Sequence, residues 1–458
     1  MNRFCFDGLL AVLMCLALAG CDPLASEAPE SATLATDAAT SDIQHTEPAV
    51  SDDEIVEAWV YLLSRALVVR QEQMDFQGTG LSYNDIRYNE AGKADFVNPN
   101  LDVAYMEAWV AIDDDSAVVL EIPEIEGRYY TAQFLDGWGE VVVNINERNF
   151  PDHPNGRFAL CMAPCDVELP DDVLAVEVPD RKLKMLARVE LQDDLDGAIA
   201  LQKGFRMSVI GLPSTQMPLP LPKFSNQDPP GVELFRLVDH FLETPDTKMD
   251  ASTIRATARR VAAYVANGGP AAAHADQVIN EQAMPRFIQF ATQKAGKFEN
   301  GWLATLTAGN YDGDYWTRAA ANFVGIWANT SEEVIYFIAS TDGAGETLGD
   351  GKAYRLHFTA DELPAQNVNG FWSVILVDFP GYRVVGNALD RYNFNNYSSL
   401  TYGDDGSLTL YVAPSLDPAW PQSNWLPSPS KGRFNLTLRM YVPKDNVLAG
   451  DWFPPPLE

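Results

Sequence analysis

Phe434-Asn435-Leu436-Thr437-Leu438-Arg439-Met440 alternates apolar and polar side chains without a break, and Tyr354-Arg355-Leu356-His357-Phe358-Thr359 does the same. A period of two marks a strand with one face in a core, because successive side chains leave a pleated backbone on opposite sides. Each stretch therefore predicts a strand with one buried and one wet face. Phe371 to Asp378 reads as a further strand, and Asp405-Gly406 suits a hairpin turn between apolar-patterned segments. The last third of the chain is a β region.

Working outward, the middle third is helical. Val232 to Glu243, Ser252 to Ala266 and Asn280 to Lys297 read as helices, and Tyr315, Ala319, Phe323 and Ile326 mark one more. The Pro-rich stretch Leu212 to Pro230 is the best domain boundary. Before it come short β runs separated by Pro, Gly and Asp: Ala117 to Ile122, Arg128 to Leu135, Glu140 to Asn146, Val173 to Val178 and Lys184 to Glu190. Folding starts at Ser51, where Ser51-Asp52-Asp53-Glu54 matches a capping box. It opens a helix to about Arg70 whose Ile55, Trp59, Leu62, Leu63 and Leu67 form a core stripe. The expected fold class is α+β multi-domain, with two antiparallel β-rich domains, sandwich or jelly-roll-like, and a helical middle segment. The expected divisions are residues 51–215, 216–330 and 331–458.

At the N-terminus, Arg3 precedes an apolar run of eleven residues from Leu9 to Ala19, which suits a signal peptide and is too short to span a bilayer. The run ends Leu18-Ala19-Gly20-Cys21, which resembles a bacterial lipobox with residues 1–20 as signal and Cys21 as the lipidated residue. Asp22 looks like the residue that keeps enterobacterial lipoproteins in the inner membrane. The expected location is the periplasmic face of the cell envelope, held through a lipid anchor, with the inner membrane favoured over the outer. Residues 21–50 are acidic, contain no Lys or Arg, and cannot bury enough apolar area to order themselves, so they read as a disordered tether.

The chain has 458 residues, 47% of them hydrophobic, with 64 Asp and Glu against 32 Lys and Arg and a net charge of −32. Such apolar content supplies several cores, and such charge excludes nucleic acid as a partner. Cys161 and Cys165 are the cysteines that follow Cys21. A disulfide between them is expected in an oxidising periplasm, since a metal site would need more ligands nearby and redox motifs use two intervening residues. The sequence contains no Gly-x-Ser-x-Gly elbow, His-Glu-x-x-His motif, phosphate-binding Gly loop or Gly-x-Gly-x-x-Gly. No cofactor and no metal are expected.

Asn98-Pro99-Asn100-Leu101-Asp102-x-x-Tyr105, then Pro123 with Gly127-Arg128-Tyr129-Tyr130 and Phe134, resembles the bacterial domain-of-unknown-function family 1254. Downstream, Asp342 to Gly351, Tyr354, Phe371-Trp372-Ser373, Arg391-Tyr392, Asn424-Trp425-Leu426-Pro427, Arg439-x-Tyr441 and Trp452-Phe453-Pro454-Pro455 are similar to family 1214, its usual partner. The resemblance implies a multi-domain α and β protein with two β-rich domains, often exported, with no established catalytic set. One departure is local: Asn387 is followed by Ala-Leu-Asp before Arg391, and Asn393 to Ser399 is Asn-rich.

Two constellations carry chemistry. Asn98, Asn100 and Asp102 cluster in a loop, and Arg128, Tyr129 and Tyr130 open a strand. A guanidinium and phenols can hold an anionic or hydroxylated ligand, with Asp102 or Asp136 as base. A hydrogen-bond network joining loop to sheet accounts for the same residues. In the C-terminal block, Trp372, Tyr392 and Trp425 can stack on sugar rings or apolar ligands, or fill a sandwich core. His357, on the polar face of its strand, reads as a solvated residue. Two function classes follow. One is an envelope hydrolase or lyase of a polar or glycan-like substrate, with Asp102, Tyr130 and Asp136 catalytic and Asn98, Asn100, Arg128, Tyr129, Trp372, Tyr392 and Trp425 binding. The other is a non-catalytic ligand-binding or scaffolding lipoprotein.

Overall fold

Ser51 caps the helix Asp52–Phe76 as its sequence dictates: the Ser51 hydroxyl accepts from the Glu54 amide at 3.3 Å, and the Glu54 carboxylate accepts from the Ser51 amide at 2.9 Å. The computed structural model describes residues 50–77, 80–92, 100–214, 217–379 and 381–458. The signal peptide, Cys21, the tether up to residue 49 and Asn98 lie outside the described residues. The helix runs past Arg70 because its last turns find partners, Glu72 pairing with Lys182 at 2.9 Å and Gln71 with Asp75 at 2.8 Å. Its core stripe widens to the whole circumference between Ile55 and Val69, as happens when a helix is packed on all sides. Ser64, on the back of that stripe, donates to the Trp138 carbonyl at 2.9 Å and accepts from Asn322 at 2.8 Å. The helix is the axis of the helical core, surrounded by Ser252–Ala266, Gly269–Val278, Met284–Gln293 and Tyr315–Val324. Among the described residues no helix is long and apolar enough to cross a membrane.

The N-terminal β region is two sheets on one core. One has the order Arg87–Tyr88, Val103–Ala111, Lys182–Glu190, Tyr130–Leu135, Val141–Ile145; the other has Val173–Val178, Gly156–Met162, Ala117–Ile122, Arg206–Ile210. Met106, Leu120, Phe134, Phe158, Met185 and Val189 fill the space between them. Four of these strands, Val103–Ala111, Gly156–Met162, Arg206–Ile210 and the short Arg87–Tyr88, were absent from the sequence-based expectation. Val103–Ala111 shows no clean alternation because nearly all of it is buried. Cys161, on Gly156–Met162, forms a disulfide with Cys165 with the Cα atoms 5.5 Å apart.

The C-terminal β region repeats the plan. A sheet of order Lys297–Glu299, Trp302–Ala304, Val334–Ala339, Arg433–Tyr441, Trp372–Phe379, Asn393–Asn395 packs on a sheet of Tyr354–Phe358, Leu408–Ala413 and Trp425–Pro427. Phe337, Leu356, Phe358, Leu376, Leu436, Leu438 and Met440 form the core. Among the described residues pairing is antiparallel except for one parallel pair in each region, Gly156–Met162 with Val173–Val178 and Leu408–Ala413 with Trp425–Pro427. The fold is α+β, with two β-rich regions and a helical middle.

Two strands with the same sequence period meet different fates. In Tyr354–Phe358, Arg355 and His357 are exposed, as alternation predicts. In Arg433–Tyr441 the expected wet face is dry: Asn435, Thr437 and Arg439 are 7%, 4% and 3% exposed. At its Arg439 and Tyr441 end this face meets the outer face of the N-terminal five-stranded sheet, while Asn435 lies against Tyr382 of its own region, and that seam is where the polar groups of the two regions meet.

Candidate functional site at the junction of the two sheets

The strand Lys182–Glu190 sends Leu183, Met185, Ala187 and Val189 into the N-terminal core. Period two then places Lys184, Arg188 and Glu190 on the opposite face, and all three are buried there. A charge taken out of water must be paired or find a ligand. Arg188 donates from Nη2 to Gln133 Oε1 at 2.9 Å and lies over the Tyr105 ring at 5.5 Å. Its Nε and Nη1 make no hydrogen bond among the described residues. Burial opposes its charge, but a guanidinium is not deprotonated in proteins, so Arg188 stays charged among phenols that are themselves neutral.

The surrounding groups come from both regions. Asn100 donates to the Tyr441 hydroxyl at 2.6 Å and the Tyr105 hydroxyl at 3.3 Å, and its own oxygen accepts from the Asp102 amide at 3.0 Å. The Asp102 carboxylate, 4% exposed, accepts at Oδ1 from Asn393 at 2.8 Å and Asn395 at 3.0 Å. The Ser373 hydroxyl lies against the same carboxylate. Burial raises the Asp102 pKa against the opposing pull of Ser373, Asn395 and Arg439. Tyr129 donates to Glu333 at 2.8 Å, and the same carboxylate is held by both oxygens from Arg148 at 2.8 and 2.9 Å and by Asn146 at 2.9 Å. Phe371 and Tyr441 stack at 4.1 Å, with the Tyr129 ring against both. Burial pushes the Tyr129 and Tyr441 phenols far up, so both stay protonated. A guanidinium with donors unpartnered among the described residues can grip an oxyanion.

Asp136 belongs to a second buried network. It sits in the turn between Tyr130–Leu135 and Val141–Ile145, accepting from the Trp138 and Glu140 amides at 2.8 and 3.0 Å. Burial first, then the nearby Glu140 and Asp180 charges, push its pKa to about 7. Beside it Arg318 bridges Glu140 at 3.3 Å and Asp246 at 3.2 Å, tying the helical core to the turn. This network lies apart from the junction.

Of the residues singled out from sequence, Asn100, Asp102 and Tyr129 converge on the junction. Tyr130 faces the other way, as the next residue on a strand must, and its hydroxyl donates to the Pro154 carbonyl inside the N-terminal core. Arg128 donates to the carbonyls of Glu190 and Leu191 at 3.0 and 3.1 Å and to the Asp194 carboxylate at 2.9 Å, so it clamps a loop. Trp372 is 1% exposed in the C-terminal core. Tyr392 donates to Asp390 at 3.1 Å, and the Trp425 indole donates to the Ala413 carbonyl at 2.8 Å, so these three aromatics form no common site. Sequence reasoning missed Arg188, Gln133 and Glu333 and gave Tyr105, Arg439 and Tyr441 no role. The available signal was an arginine inside an alternating apolar strand. The Asn-rich stretch read as a local departure supplies Asn393 and Asn395, the donors to Asp102.

Residues 83–209 match the family model described as "Protein of unknown function (DUF1254)", and residues 333–445 match "Protein of unknown function (DUF1214)". No curated protein matches the sequence. Among solved structures, the VPA0106 protein from Vibrio parahaemolyticus is similar at 17% identity and a TM-score of 0.65, over 89% of this chain and 99% of that one. An uncharacterized protein from Burkholderia cenocepacia is similar at 13% identity and a TM-score of 0.43, over 86% of this chain and 92% of that one. The first of these speaks for a shared fold.

Proposed function

We propose, from the premise that this chain joins a DUF1254 region to a DUF1214 region, that the protein is an envelope lipoprotein which binds a small ligand with one anionic group at the seam between the two. The observation that carries the reading is Arg188: a buried, charged guanidinium with two nitrogens lacking partners among the described residues, ringed by tyrosines from both regions. Leaving such donors unmet is costly, and a carboxylate or phosphate supplies charged oxygen acceptors for them. Domain junctions are common ligand sites. Because these groups are closed off from solvent, entry requires the two sheets to part, which interfaces between regions of one chain allow.

The test is thermal denaturation of the full chain with acetate, inorganic phosphate, glucuronate and neutral methyl glucoside. An anionic probe at a hundredfold excess over its Kd is expected to stabilise the wild type by about 2.7 kcal/mol. Arg188→Met is expected to lose that response without melting earlier, since replacing a poorly paired buried charge by an apolar side chain is neutral or stabilising. Early melting of Arg188→Met, or a response to the anionic probes that survives Arg188→Met, overturns the reading.

A hydrolase or lyase acting on a polar or glycan-like substrate is supported by one feature, the buried Asp102 carboxyl at the junction, whose pKa burial raises. Tyr130 and Asp136 take no part in it. In either reading Cys21 is the lipid anchor and two chains or signals are needed for stable attachment. Cys21→Ala is expected to release the protein from membranes, and persistent membrane partition of that variant removes the anchor from the proposal.

A further inference from the structure

The wet face of the small C-terminal sheet carries an aromatic shelf that the junction does not use. Arg355 and Tyr411 are in register on neighbouring strands, and Tyr411 is in register with Trp425 on the next. Trp420 folds back from the loop after Leu408–Ala413 and stacks on Tyr411, with ring centroids 4.5 Å apart and planes within 10°. A turn fixes Trp420 there, its amide donating to the Asp417 carbonyl at 3.0 Å and the Ala419 amide to the Asp417 carboxylate at 2.8 Å. At one edge Arg355 and Glu458 form an ion pair, with side chains 55% and 60% exposed. Their backbones are paired as well, so that edge is held in place. Ala353, Tyr354, Arg355, Tyr411, Trp420 and Glu458 line a hollow of about 230 Å³, room for one sugar ring.

We infer that this hollow is a binding site for a neutral saccharide, with the Trp420 and Tyr411 stack as its platform and Arg355 and Glu458 as hydroxyl partners. The chemistry matches on three counts. A pyranose presents a face of polarised C–H groups that packs on the negative face of an aromatic ring. A guanidinium and a carboxylate each span vicinal hydroxyls, one as donor and the other as acceptor. The pair adds no net charge, and a chain of net charge −32 repels acidic glycans. The site is separate from the buried seam and does not depend on it.

The experiment titrates cellotriose, maltotriose and chitotriose into the full chain, followed by tryptophan fluorescence and calorimetry, with adenosine as a stacking control. At least one trisaccharide is expected to saturate. Trp420→Ala should then weaken it about tenfold or more with an unchanged melting temperature, while Trp420→Phe stays within about threefold. Arg355→Ala should weaken it without unfolding, and Arg188→Met should leave it unchanged. Failure of all three sugars to bind, unaltered binding by Trp420→Ala, or equal binding of adenosine overturns the inference.

Discussion

Tyr354–Phe358 and Arg433–Tyr441 belong to the same β region, carry the same alternation and pack on the same core, yet the polar side of one is in water and that of the other is sealed. The difference lies in what stands opposite. Among the described residues Arg355 and His357 stay exposed, whereas the polar face of Arg433–Tyr441 meets the N-terminal sheet at its Arg439 and Tyr441 end and Tyr382 of its own region at Asn435. A polar face on a strand therefore records only that it is not a second hydrophobic core. When such a face is buried, each group must be satisfied by a neighbour, and the seam is accordingly dense in named partners: Asn393 and Asn395 for Asp102, Arg148 and Asn146 for Glu333. Arg188, with two nitrogens unpartnered among the described residues, stands out against that background.

The contrast is open to measurement, starting at the dry seam. Glu333→Ala strips the half-buried Arg148 and the buried Asn146 and Tyr129 of their common acceptor, and breaking one side of a buried pair costs ~3–5 kcal/mol. Urea denaturation is expected to register that loss, and a change below about 1 kcal/mol would mean that the seam is wetter than its geometry.

A smaller effect separates the two faces by the sign of their pH dependence. Burial holds Asp102 above the ordinary carboxylate value of 3.8. Its contribution to stability is therefore complete below that value and is lost as pH rises through the higher folded-state value. Asp405, near His357 on the wet side, is exposed and held low by the Ser407 hydroxyl and amide. Its contribution is present above the ordinary value and is lost as pH falls through the folded one. Melting temperatures across the acidic to neutral range should show Asp102→Asn removing part of a decline with rising pH, and Asp405→Asn removing part of a decline with falling pH. The same sign for both would erase the distinction.

The smallest change belongs to the wet strand itself. His357, exposed and hydrogen-bonded to Thr409 at 2.8 Å, is expected to be replaceable by Ala within ~0.5 kcal/mol. A larger loss in urea denaturation would place that face against something in solution.

Local physics made much of the protein legible. The capping box at Ser51, the helix Ser252–Ala266, the strands Ala117–Ile122 and Val173–Val178, the bridge between Cys161 and Cys165 and the pairing of two family regions all depend on residues near one another in the chain. The strand Val103–Ala111 was illegible because burial on both faces erases the period that identifies a strand. The site was half legible. Asn100, Asp102 and Tyr129 were visible as polar groups concentrated where a loop enters a sheet, while Arg128, Tyr130 and Asp136 shared that signal and went elsewhere.

By itself the sequence determined the periods, the caps, the charge and the order of elements, since these are properties of neighbouring residues. Only the tertiary structure decided that the polar face of Arg433–Tyr441 is dry and that Asn100 meets Tyr441, 341 residues away. Burial and pairing are properties of whatever surface lies opposite, and a strand's own residues do not encode their distant neighbour.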